Sequence, residues 1–170
     1  SFEKGHFINN NNEKINCFIK NIDWKNNPTE FEYQISENNT TQKTSLNEVK
    51  EFSIGTNLKY VRFTLNIDKS SQNINELSTI GKPVFKEETL FLKVLLEGEA
   101  NLFSYENGNL KLYFYNVNNS KTEQLIYKQY KSRFNQIAKN TRYKNQIWNA
   151  LKCESLKMSK VENLDYRKND

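Results

Sequence analysis

The sequence predicts a mainly β fold, a β-rich α+β domain of antiparallel sheets, and three observations carry that prediction. Apolar and polar residues alternate with period two in several separate stretches, Asn-rich polar turns punctuate them, and a helical period appears only near the C-terminal end. The chain has 170 residues, the length of one domain. The organisation expected is a single unit with a small barrel-like first half at 1–68, a four-stranded meander at 83–130 and a helical tail at 131–170.

Residues 5–8 are a short apolar run, 9–12 a polar turn, and Ile15, Cys17 and Ile19 mostly alternate with polar positions, which is the pattern of a hairpin. The stretch 23–29, with Asn26, Asn27 and Pro28, is a turn by composition. Phe31, Tyr33 and Ile35 then alternate with Glu30, Glu32, Gln34 and Ser36, the clearest half-buried strand of the first half. Leu46, Val49, Phe52 and Ile54 read as a bend running into a strand. In 60–67, Val61, Phe63, Leu65 and Ile67 share one face, and Arg62, Thr64 and Asn66 share the other. The polar segment 68–81, with Ile74, Leu77 and Ile80 as isolated anchors, is the longest loop and the element expected to be most flexible.

Residues 90–96 read as a strand buried on both faces apart from Lys93, and Gly98 ends it. Strands at 101–105 and 110–117 flank Asn107-Gly108, a pair that tolerates the positive φ of a tight hairpin turn. A turn at 118–121 leads to Leu125, Ile126, Tyr127 and Tyr130, so that 90–130 forms an up-and-down meander of about four strands. Asn140 is placed to cap a helix whose apolar residues Tyr143, Ile147, Trp148 and Leu151 follow a three-to-four spacing. Phe134 and Ile137 fit either an earlier helical turn or a last strand. Leu156, Met158, Val161, Leu164 and Tyr166 suggest a short helix or an extended tail packed on the domain.

Aromatic residues make up 13% of the chain and all hydrophobic types 36%, so Phe, Tyr and Trp must supply much of the buried surface. The net charge of +5 comes from 21 Lys and four Arg spread evenly among 20 acidic residues. That spread reads as a solvated surface, because nucleic-acid readers cluster their cations on one face. No run approaches the roughly 20 apolar residues of a membrane-crossing helix, so no transmembrane segment is expected.

The signatures of catalysis do not occur: there is no nucleophile elbow, phosphate loop, zinc-protease helix or calcium loop. The single histidine, His6, reads as a strand residue near an edge. Glu87 and Glu88, like Glu97 and Glu99, read as turn residues. No catalytic residue, metal ligand or cofactor is assigned. Cys17 and Cys153 lie far apart with no CxxC, and read as two isolated thiols or as one disulfide closing a long loop in an oxidising compartment. The glycosylation triplets beginning at Asn38, Asn39 and Asn118 are what an Asn-rich chain gives by chance. Trp24 beside the 26–28 turn, and Tyr105, Tyr113 and Tyr115 on two paired strands, are the candidate ligand-stacking residues. Core packing is the plainer account of the same side chains. Tyr113 and Tyr115 share one face and Phe114 takes the other.

Three stretches resemble an uncharacterised family of exported Bacteroidetes proteins, flavobacterial above all: 4–33 (KGHFINNNNEKINCFIKNIDWKNNPTEFEY), 91–115 (FLKVLLEGEANLFSYENGNLKLYFY), and RYKNQIWNALKC with VENLDYRKND at the end. The resemblance implies a signal peptide before this region, an outer-membrane β-barrel after it in many members, and a periplasmic or cell-surface location. It fits a beginning at Ser1 that is expected to be trimmed. It makes a Cys17–Cys153 disulfide chemically permissible, and it implies a protein or envelope component as partner, an outer-membrane barrel of the same polypeptide among them. Where the family carries an aromatic and a glycine this chain has His6 and Cys17, so no role is carried over to either. The function expected is a non-catalytic binding or assembly module of a bacterial cell-envelope protein, its partner-facing patch built from the 68–81 loop, the 106–109 hairpin and the tail. Two other readings stand beside it, a single-stranded nucleic-acid-binding β domain and a hydrolase with a carboxylate site.

Overall fold

The alternation read in the sequence becomes twelve strands and one α-helix in a computed structural model, which describes residues 1–151. In chain order the strands are β1 (Phe2–Asn9), β2 (Lys14–Lys20), β3 (Glu30–Gln34), β4 (Gln42–Ser45), β5 (Val49–Ile54), β6 (Leu58–Ile67), β7 (Lys86–Leu96), β8 (Ala100–Asn107), β9 (Leu110–Val117), β10 (Glu123–Gln124), β11 (Lys128–Lys131) and β12 (Ile137–Asn140). Helix α1 follows at Tyr143–Leu151. Ten strands make one antiparallel sheet in the order β10-β9-β8-β7-β6-β5-β1-β2-β3-β4, while β11 and β12 pair separately. The fold is therefore mainly β, as the sequence predicts, and its large sheet is a curled half-barrel.

The curl follows from chain length. β4 and β5 stand four strand spacings apart in the sheet order, about 19 Å if the sheet were flat. The chain from Ser45 to Val49 spans at most about 15 Å. The first five strands must roll until β4 approaches β5. Polar contacts fasten the rim: Asn10 donates its backbone N–H to the Glu48 carbonyl and its side-chain amide to the Asn47 carbonyl, and Arg62 reaches the Leu46 carbonyl at 3.1 Å. Rolling also places β5 against β1, so His6 pairs with Asn16 on one side and Ser53 on the other. It sits on an inner strand, not near an edge. Gly5 is required beside it, because a Cβ there would fall 2.3 Å from the Ser53 carbonyl oxygen.

Inside the roll lies an aromatic core. Phe7, Phe31, Phe52, Tyr60 and Phe91 are buried with Cys17, Ile19, Val49 and Ile54. The Phe52 ring sits 4.4 Å from Phe31, 5.0 Å from Tyr60 and 5.2 Å from Phe91 between centroids. β6 and β7 pair from Tyr60–Lys93 to Ile67–Lys86, so barrel and meander share one sheet. Across these two strands the buried face changes. Tyr60 and Phe91 point into the barrel, whereas Leu65, Ile67, Leu90 and Leu92 join Phe103, Tyr105, Leu112 and Phe114 in a second core on the opposite face. This accounts for the apolar run at 90–92. The run does not stay buried on both faces to its end, since Leu95 and Leu96 are exposed past the shift in register after Val94. Glu87 and Glu88 also lie inside β7, not in a turn before it.

The 68–81 segment, expected to be the freest part of the chain, is tied down at its start. The Asp68 carboxylate is buried, accepts hydrogen bonds from the Ser70 and Val84 N–H groups, and faces the equally buried Lys128 ammonium at 3.2 Å. Leu77 is buried, and Lys69 crosses to Glu88 and lies over the Tyr105 ring. Ile137 begins β12 and Phe134 is exposed in the turn before it, so neither belongs to a helix. Asn140 ends β12 and accepts the Arg142 N–H in the turn ahead of α1, but it is not the predicted cap, since the first helical bond runs from the Gln146 N–H to the Arg142 carbonyl. Cys153 and the apolar residues beyond it lie outside the described residues, and the predicted tail and the Cys17–Cys153 pairing with them. Cys17 itself is buried with a free thiol.

Candidate functional site

A groove of about 360 Å³ opens where the barrel core ends and α1 begins. Its floor is one cross-strand row: Tyr60 on β6 faces Lys93 on β7, Lys93 faces Ser104 on β8, and Ser104 faces Tyr113 on β9. One wall is the β2–β3 loop, with Trp24, Lys25 and Asn27. The other is Tyr143 and Ile147 of α1 with Leu125 below them.

Asn27 fixes the first wall. β7 and β8 pair only from Lys93–Ser104 to Leu96–Leu102, so the residues before Lys93 on β7 and after Ser104 on β8 diverge and leave backbone groups open. Asn27 fills the gap: its Nδ2 donates to the Phe91 carbonyl at 2.8 Å and to the Ser104 carbonyl at 2.9 Å. Its Oδ1 accepts the Glu106 N–H at 3.0 Å, and its own N–H donates to the Glu106 carbonyl at 2.9 Å. Pro28 next to it biases Asn27 toward extended backbone, the conformation such strand-like pairing needs. Asn26 accepts the Gly108 N–H of the β8–β9 turn. Trp24 is thereby held edge-on to Phe52 and Tyr60, with centroids 5.9 and 6.1 Å away.

The second wall is fastened by backbone and amide bonds. Tyr143 donates its N–H to the Ile126 carbonyl at 2.8 Å, and Gln146 bridges the Ile126 N–H and the Gln124 carbonyl. Tyr113, Leu125 and Tyr143 then form a third, smaller cluster, with Leu102, Tyr115, Tyr127 and Ile147 against it.

The floor is polar and underfilled. Tyr60 is 3% exposed and Ser104 4%, yet among the described residues neither hydroxyl has a hydrogen-bond partner. Both oxygens face the groove, since no side-chain polar atom sealed from solvent is left unpaired. Burial, and after it the charge of Glu106, pushes the Tyr60 hydroxyl up to about 12, so it keeps its proton and serves as a donor. Lys93 has no carboxylate within ion-pair distance among the described residues, and Lys25 has none either. Lys111 lies 3.3 Å from Glu106, the one carboxylate of the groove's described lining.

Of the four aromatics the sequence singles out, Trp24 and Tyr113 meet in this groove. Tyr105 does not: it pairs with Leu112 while Ser104 pairs with Tyr113, so it points to the opposite face and into the second core. Tyr115 shares the face of Tyr113 but lines a separate hollow with Glu123 and Arg142. The partner patch expected at the 106–109 hairpin is partly spent on the Asn26 and Asn27 contacts. His6, on the face away from the groove, has its basicity lowered by burial and then by the nearby Lys14 charge. Tyr60, Lys93 and Ser104 are the residues sequence reasoning missed. One signal was available, the lone cation Lys93 inside an apolar strand.

No helix among the described residues is long and apolar enough to cross a membrane, and no group of His, Cys, Asp or Glu among them forms a metal site. Neither protein-family models, nor curated proteins, nor solved structures give a match to this chain.

Proposed function

We propose that the chain is a non-catalytic binding module of a bacterial envelope protein, and that its ligand occupies the groove between Trp24 and α1. The observation that carries this reading is a cavity of about 360 Å³, within the range of small-ligand pockets, whose two walls are each held by their own hydrogen bonds. Aromatic rings line it beside a few convergent polar groups, the usual make-up of a small-molecule site. Its one described carboxylate, Glu106, is engaged by Lys111, so the groove offers no facing pair for acid–base work. The envelope setting enters through the resemblance of 4–33 and 91–115.

The test is a thermal-shift screen of small amphiphiles against the chain and against Ser104→Phe, which fills the floor. Compounds that raise the melting temperature of the parent chain but not of the variant are the expected result. A library that stabilises neither protein, or both alike, would remove the groove as the site.

A further inference from the structure

We infer that the groove binds a carboxylate carried on an apolar body, with Lys93, Tyr60 and Ser104 as its anion-holding floor. This deepens the binding role proposed above and rests on it. Three observations converge. Tyr60 and Ser104 are more than nine-tenths buried, face the groove and have no protein partner for their hydroxyls among the described residues. Buried polar groups are normally paired, so a partner from outside the chain is the simplest completion. Between them in the same cross-strand row stands Lys93, half-buried and without a carboxylate partner among the described residues.

All three groups can donate a hydrogen bond. An ammonium has only donors to give, and the Tyr60 hydroxyl, with its pKa raised, stays protonated. A carboxylate satisfies all three at once, giving the ammonium its negative charge and the hydroxyls acceptor oxygens. The remaining charges of the lining do not supply it: Lys25 and Lys111 are cations, and Glu106 is already held by Lys111. One ammonium and two hydroxyls match the single charge and paired oxygens of a carboxylate. Charge-assisted bonds of this kind are the strong ones.

The walls define the rest of the ligand. Trp24, Leu95, Leu102 and Tyr143 flank the floor with apolar surface. A groove of this volume suits a body of about ten carbons, aliphatic or aromatic.

The experiment titrates the 170-residue chain with decanoate, decanol and indole-3-acetate, followed by calorimetry and by tryptophan fluorescence. The expected result is saturable binding of at least one acid at one site per chain, with decanol at least about tenfold weaker than decanoate if the body is aliphatic. The two acids separate an aliphatic from an aromatic body. Lys93→Gln should abolish the preference for acid over alcohol, and Tyr60→Phe with Ser104→Ala should weaken the acid while sparing decanol. Circular dichroism verifies that each variant folds, and either set alone suffices if the other does not. Equal binding of decanoate and decanol would overturn the anion site yet leave the groove standing. Binding that survives Ser104→Phe would instead sink the groove itself. Absence of saturation by both acids, or a Lys93→Gln variant that still prefers the acid, also overturns the inference.

Discussion

Replacing Asn27 by Ala should cost far more stability than its place in a surface turn suggests. The side chain makes three bonds to backbone groups where β7 and β8 part: Nδ2 to the Phe91 and Ser104 carbonyls and Oδ1 from the Glu106 N–H, at 2.8, 2.9 and 3.0 Å. Each bond is worth about 0.5–1.5 kcal/mol, and stranding a partner costs more where water cannot reach it. All three are partly buried, which gives an expected loss of about 2–4 kcal/mol. Asn26→Ala, which removes one exposed bond to the Gly108 N–H, should cost about 0.5–1 kcal/mol. Urea unfolding measures both. With a slope of about 2 kcal/mol/M, the Asn27 variant should lose about 1–2 M from its midpoint at unchanged slope. Asn27→Asp keeps the acceptor and loses both donors, and should fall close to the Ala variant. Equal losses for Asn26→Ala and Asn27→Ala would refute the idea that Asn27 stitches β7 to β8.

The buried pair of Asp68 and Lys128 predicts an acid limb. Burial pushes the Asp68 carboxyl up, but the Ser70 hydroxyl, the Ser70 and Val84 N–H groups and Lys128 together bring it below its ordinary value near 3.8. A carboxyl depressed in the folded state stabilises fully above its unfolded value, and loses that contribution as pH falls through the folded one. Asp68→Asn strands the buried Lys128 and should cost about 3–5 kcal/mol at pH 7, with the gap to the parent chain closing below pH 3.8. A gap that stays constant in urea titrations from pH 7 to pH 2 would contradict this. Cys17, whose thiol burial pushes up to about 11, should react with a disulfide reagent at pH 8 at least about a hundredfold more slowly in folded Cys153→Ser than in the same chain in urea. Equal rates in the two states would show that the thiol is open.

Most strands were legible because alternation is a local property. Val61 to Ile67 alternate and β6 contains them; of the alternating Phe31, Tyr33 and Ile35, β3 contains the first two and ends at Gln34, leaving Ile35 exposed. The hairpin between β8 and β9 is there, but its turn is Gly108-Asn109, one residue past the predicted Asn107-Gly108 pair: Asn107 still pairs with Leu110, and Gly108 takes the positive φ of 60°. The Tyr143–Ile147 spacing marked α1 for the same reason. Other features depend on pairings between residues distant in the chain. His6 reads as an edge residue until β5 returns beside β1, and that return depends on the curl. The site was legible only in part. Trp24 is placed by Asn27, whose partners Phe91, Ser104 and Glu106 lie more than 60 residues away, and no local pattern announces such a bond. Parity separates Tyr105 from Tyr113, but it does not tell which face is core, because β9 is buried at Leu112, Tyr113 and Phe114 in succession.

The groove follows from the change of buried face. Long twisted sheets split into separately packed parts, because one covering layer cannot follow the twist from edge to edge. Here the barrel covers one face as far as Tyr60 and Phe91, and the second core takes over on the other face from Leu65 onward. On the first face the next cover is the cluster around Tyr113, Leu125 and Tyr143. Lys93 and Ser104 fall between these two covers. An apolar pair there would present a dry surface that a closing loop could seal. A cation and a hydroxyl there are groups that a dry seal would leave unsatisfied. The same two residues thus fit both an unsealed groove and the charged ligand proposed for it.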